Sequence, residues 1–170
     1  IQYDENGNIL TMQRTANGNL VDNLSYVYSG NQLASLKESL RTSPVGDIYL
    51  PGSTLNGTYT YDENGNMISD SRKALKLEYN CFNLLKDVKT TSGELKARYR
   101  YLADGTKLEV RDNNEINGFD YLGSLTYKKS SMGVQLESAS FGEGEIRANV
   151  SNGVGNEVNY FLTDHLGSVR

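Results

Sequence analysis

Proline, cysteine and histidine are nearly missing from this chain of 170 residues: it has Pro44 and Pro51, Cys81 alone, and His165 alone. Each scarcity excludes something. A single cysteine cannot close an internal disulfide, and it leaves the redox compartment open. A single histidine means that any Ser-His-Asp site must use His165, oriented by Asp164 or by a distant carboxylate. On an extended strand neighbouring side chains point to opposite faces, which removes Asp164 from that role, so His165 reads as structural. Cys81 would have to meet His165 to act as a catalytic thiol, and its neighbours Asn80 and Phe82 form no reactive-cysteine signature. It reads instead as a small buried hydrophobe. No apolar run approaches the roughly 18 residues of a membrane span. The expectation is a protein that is no enzyme and needs no cofactor.

Basic charge is also short. Seventeen Lys and Arg stand against 21 Asp and Glu, for a net charge of −4 and a pI near 5.1. The longest basic run is Lys128-Lys129. Phosphate binding needs clustered cations, so nucleic acid is excluded as a partner.

What the chain has is glycine and tyrosine, 17 and 12 residues, within a hydrophobic content of only 37%. Many glycines with few prolines suit tight turns between paired strands, because proline would remove ladder donors. Tyrosine suits strands, where rings pack across neighbours. Composition therefore points to an all-β fold of antiparallel hairpin repeats in an open, curved or spiral sheet. Residues 1–170 read as a single domain, with no linker or low-complexity segment inside it.

The organising motif is YDENGNIL at residues 3–10, copied as YDENGNMI at residues 61–68. In Tyr61-Asp62-Glu63-Asn64-Gly65-Asn66, Asp opens a four-residue turn that ends in Gly, the pattern of a type I turn with a G1 bulge. The Tyr-to-Gly offset recurs from Tyr3 to Gly7 and from Tyr101 to Gly105. At Tyr79 the fourth residue is Asn83, the common substitute for Gly at positive φ. Shortened versions occur at Tyr28-Ser29-Gly30-Asn31 and Tyr121-Leu122-Gly123-Ser124, and residues 15–20 repeat the turn with Arg14 in the Tyr place. Period-2 pairs such as Tyr26 and Tyr28, Tyr59 and Tyr61, and Tyr99 and Tyr101 put one aromatic face on each strand. Residues 33–58 break the rhythm: Leu33, Leu36 and Leu40 have helical spacing, and the stretch reads as a strand and a long loop with room for one helical turn.

These residues resemble the YD repeat of RHS-repeat proteins. Phe119-Asp120-Tyr121-Leu122-Gly123, Phe141-Gly142-Glu143-Gly144-Glu145 and above all Asp164-His165-Leu166-Gly167-Ser168-Val169-Arg170 resemble the RHS-repeat-associated core, in a Bacteroidetes-like version. On that resemblance residues 1–118 are YD repeats and residues 119–170 the start of the core. The resemblance implies a large cell-surface or secreted, cell wall-associated protein whose hairpins wind into a shell. In toxin-bearing members the shell encapsulates a C-terminal segment. The chain starts in mid-repeat at Ile1-Gln2-Tyr3 and stops at Arg170, so a piece of a longer chain is expected, with the rest of that chain as its partner. Unpaired edge strands near Tyr3 and residues 160–170 are expected to drive self-association.

The remaining chemistry is thin. Asp62, Asn64 and Asn66 mimic the opening of a calcium loop, but Gly65 stands at position four and Lys73 at position twelve, and the turn alone accounts for every residue; no metal is expected. Glu143 and Glu145 have the spacing of a carboxylate pair, though on a glycine-rich turn they read as solvated charge. Two functions from different classes stay open: a structural shell segment, and a carbohydrate-binding surface in which Tyr and Asn would contact glycans. Tyr at one fixed place before each turn favours the shell.

Overall fold

A computed structural model describes residues 1–40, 56–148, 156–164 and 169. Residues 41–55, where the long loop is expected, lie outside the described residues, as do His165, Leu166, Gly167 and Arg170 of the core motif. The described chain is all strand and turn, in two compact units, Ile1–Glu94 and Leu95–Arg170. The motif junction at 118/119 falls inside a strand.

In the first unit the strands are β1 (Gln2–Tyr3), β2 (Ile9–Ala16), β3 (Asn19–Ser29), β4 (Gln32–Glu38), β5 (Asn56–Tyr61), β6 (Met67–Asp70), β7 (Leu75–Tyr79) and β8 (Leu85–Thr90). In the second they are β9 (Leu95–Tyr101), β10 (Lys107–Arg111), β11 (Gly118–Leu122), β12 (Leu125–Ser130), β13 (Gly133–Phe141), β14 (Gly144–Arg147) and β15 (Glu157–Tyr160). Within each unit every strand pairs antiparallel with its neighbours in sequence, an open meander. Where the turns are short this follows at once, since parallel pairing would need a crossover of a dozen residues or more; β4 and β5, joined by residues 39–55, are antiparallel as well.

Among the described residues, contacts between elements inside each unit run only between adjacent strands, and each unit by itself lays its strands side by side in sequence order. Burial follows. Among the described residues only Leu24 and Leu36 are buried apolar residues, whereas Asp22, Glu38, Asp70, Arg72, Asp87 and Arg111 are buried although charged. In β3 the period-2 rule places Asp22, Leu24, Tyr26 and Tyr28 on one face, and Val27 on the other is 57% exposed. Leu24 sits between Met12 and Glu38, and Leu36 between Tyr26 and Gly57.

The helical spacing of Leu33 and Leu36 turns out to be a strand feature. Tyr28 opposes Leu33 and Tyr26 opposes Leu36, with one residue of β4 left over where the register shifts. A β-bulge therefore brings residues three apart to one face, and no helical turn forms over residues 33–38.

In the second unit Tyr99, Val110, Phe119 and Lys128 stand opposite one another on one face, and Arg98, Arg111, Gly118 and Lys129 on the other. Arg111 is 5% exposed. Its Nη1 donates to the carbonyls of Val110 and Phe119, both at 2.9 Å, and its Nη2 pairs with Glu109 at 2.6 Å and with Asp120. Gly118 makes that closeness possible, because a Cβ there would lie 1.9 Å from the Val110 carbonyl oxygen. Gly118→Ala is expected to cost about 1–3 kcal/mol by forcing the backbone apart. Denaturant melts and amide exchange at Val110 and Phe119 check it, and wild-type protection in the variant would refute the close approach.

Candidate functional site

The repeated turn is the most elaborated local structure in the chain. In the β5–β6 turn the Gly65 N–H donates to Asp62 O at 3.1 Å and the Asp62 N–H to Asn66 O at 2.9 Å, with a register shift beside Tyr61. The Asp62 carboxylate is spent inside the turn: Oδ1 accepts the N–H of Asn64 at 3.0 Å and of Asn66 at 2.8 Å, and Oδ2 accepts Asn66 Nδ2 at 2.9 Å. The β1–β2 turn repeats the set, with Asp4 holding the N–H groups of Asn6 and Asn8 and the Asn8 carboxamide. Gly7, Gly65 and Gly105 have φ of +83°, +86° and +85°, and Asn83 has +58°. Only Gly adopts that backbone without strain, and Asn is the usual second choice.

Neighbouring turns are also tied to each other, which the motif by itself does not announce. The second Nδ2 hydrogen of Asn66 goes to Asn83 Oδ1 at 2.9 Å, and Asn8 Nδ2 reaches Asn31 Oδ1 at 3.3 Å. Each of these asparagines closes its own turn with one hydrogen and joins the next with the other. The tyrosine before the turn ties back in the other direction. Tyr61 Oη donates to Leu33 O at 3.0 Å and Tyr79 Oη to Met67 O at 2.9 Å, in each case on the preceding strand. Tyr61, Tyr79 and Tyr101 are half-buried, and desolvation holds the hydroxyls of Tyr79 and Tyr101 above their ordinary pKa. Tyr3, on the first strand of its unit, has no preceding strand among the described residues and is 57% exposed.

Several expectations need correction. Cys81 is exposed, because it occupies the tip of the β7–β8 turn rather than a strand. Residues 15–20 do not copy the four-residue turn: Asn17 and Gly18, at φ +51° and +76°, form a two-residue turn between Ala16 and Asn19. Both central residues at positive φ is the type I′ hairpin, which matches the strand twist. Asp164 is half-buried, while residues 165–168 and 170 of its motif fall outside the described residues. Glu145 is bonded to Arg147 at 2.5 Å. No cluster of three or more metal-ligating His, Cys, Asp or Glu occurs among the described residues.

Sequence reasoning missed the buried charges. Arg14 Nε meets Asp22 at 2.6 Å. Glu38 Oε1 accepts the N–H of Asn23 at 3.1 Å and of Leu40 at 2.8 Å, and Asp70 Oδ1 accepts those of Arg72 at 3.0 Å and Lys73 at 3.1 Å. The available signal was their position in step with Leu24, Tyr26, Leu36 and Tyr59 on the half-buried face.

The class defined is thus an open antiparallel meander whose turns and tyrosines bind one another. No family model matches the sequence, and no curated protein matches it. Among solved structures, a Photorhabdus luminescens Tc holotoxin pore carrying a mutated TccC3 matches at 13% identity and a TM-score of 0.45, covering 99% of this chain and 13% of the other. A TcdB2-TccC3-Cdc42 structure and a TcdB2-TccC3 structure each match at 14% identity and a TM-score of 0.44, over 99% of this chain and 14% of theirs. The chain thus spans about a seventh of the solved chains it matches. A likeness this faint assigns no role to any residue.

Two outcomes are expected at the turn. Gly65→Ala should cost about 1–2 kcal/mol and Gly65→Asn less, from backbone strain. Space is no obstacle there, since the nearest atom to a new Cβ is Gln32 Nε2 at 3.5 Å. Urea melts of both variants decide it, and equal stability of Ala and Asn would count against the strain. Second, the bond from the Asn66 carboxamide, above all, holds the Asp62 carboxyl below its ordinary pKa. The unfolded chain then takes up the proton first, so this contribution is complete above pH ~4 and fades as pH falls through the folded value. In a carbon-detected NMR titration, Asn66→Ala should move the Asp62 midpoint upward.

Proposed function

We propose that the chain is a structural segment of an RHS-type YD-repeat shell, part of a large cell-surface or secreted protein, where it scaffolds or encapsulates a further C-terminal segment. The observation that carries this reading is the use of the repeated residues. Tyr61 and Tyr79 spend their hydroxyls on the preceding strand, and Asn8 and Asn66 spend their carboxamide N–H groups on the next turn. Groups that a catalyst or a glycan site would aim outward are consumed in holding one strand to another. A sugar platform would instead need tyrosine rings standing free in a row. The segment is proposed to be no enzyme and to need no cofactor.

The experiment uses the parent protein with its flanking sequence. Limited proteolysis should leave the C-terminal segment intact while the repeats are folded. Tyr61→Phe combined with Tyr79→Phe should lower the melting temperature and speed digestion of that segment, each lost bond being worth about 1 kcal/mol. Digestion at the same rate with and without the repeat region would sink encapsulation. Saturable glycan binding abolished by the double variant would favour the carbohydrate surface instead.

A further inference from the structure

The face of the second unit that carries Tyr99 also carries an open pocket of about 370 Å³, the size of a small-ligand site. Its floor is Ala97, Val110 and Phe119, and Lys128 stands beside Phe119 on the same face. Lys129 and Ser130 complete the wall toward the end of β12. Neither Lys128 nor Lys129 makes a hydrogen bond or ion pair among the described residues, whereas the other cationic groups on the two faces are engaged: Lys107 lies over the rings of Tyr99 and Tyr121, at 5.4 and 5.7 Å from their centroids, and Arg111 has donors on two carbonyls and two carboxylates. The one acid in the wall, Asp112, is turned to its own loop, accepting the N–H groups of Asn114, Ile116 and Asn117 and the Asn117 carboxamide. An apolar floor edged by the Lys128 ammonium is thus set in a chain whose net charge is −4.

We infer that this pocket binds an amphipathic carboxylate, an aryl or branched-alkyl acid whose apolar part rests on Val110 and Phe119 and whose carboxylate meets the Lys128 ammonium. Charge complementarity selects an anion, and the apolar floor excludes one without an apolar body. Phosphate is disfavoured, because the guanidinium fork that would grip it is already taken in Arg111. Lysine is a point charge that suits a single carboxylate.

The probe is phenylacetate, titrated into the whole 170-residue protein and followed by amide NMR, with phenylacetamide as the neutral isostere. Saturable shifts confined to Ala97, Val110, Phe119, Lys128 and their neighbours are expected, weaker at high salt. Lys128→Gln should reduce affinity about fivefold, the worth of one exposed ion pair, with the remaining spectrum unchanged as evidence of folding, and Lys128→Arg should retain it. Equal binding of phenylacetamide, unaltered affinity in Lys128→Gln, or scattered shifts that do not saturate would each overturn the assignment.

Discussion

Each unit of this protein is one sheet thick, and that constraint governs everything else. Two stacked layers normally let each hide its apolar face in the other. With adjacent strands as the only contacts between elements in a unit, no stack exists within a unit among the described residues, and only two of their apolar side chains are buried. Stability must be gathered within the plane of the sheet, strand by strand. The ladder supplies the backbone share, and side chains that reach sideways to the adjoining strand or turn supply the rest.

That demand explains why polar residues occupy places where a sandwich would carry leucine. A tyrosine ring covers its neighbour while its hydroxyl closes on a carbonyl of the preceding strand, so one side chain contributes both area and a directed bond. Asparagine carboxamides connect turn to turn along the rim. Buried carboxylates at strand ends accept backbone N–H groups, as Glu38 and Asp70 show, and Asp22 meets arginine. These charges also guard the register. A one-residue slip would exchange the two faces of a strand, stranding Asp22 or Arg111 away from its partners.

Length and repetition fit the same logic. A unit that completes its polar bonds through its neighbour can be added indefinitely, and its outermost members stay incomplete. Tyr61, whose hydroxyl is bonded to Leu33 of the preceding strand, illustrates the completed member.

The amino-acid sequence determined the turns, because their requirements are local: Asp opens, Gly or Asn takes positive φ, and a residue before and after supplies the strands. All-β class, antiparallel order and the shared face of Tyr59 and Tyr61 follow from that spacing. The tertiary structure alone decided the rest. Leu33 and Leu36 share a face through a bulge, which period-2 reading cannot foresee and which imitates a helix. Cys81 reads as a core residue by type, yet its place at a turn tip exposes it. Asn17-Gly18 belongs to a two-residue turn because the register of Ala16 and Asn19 leaves no room for four. The asparagine relays, the buried Arg14–Asp22 and Arg111–Asp120 pairs and the lysine-edged pocket join residues from different strands or turns, and only the pairing of the strands brings them within bonding distance.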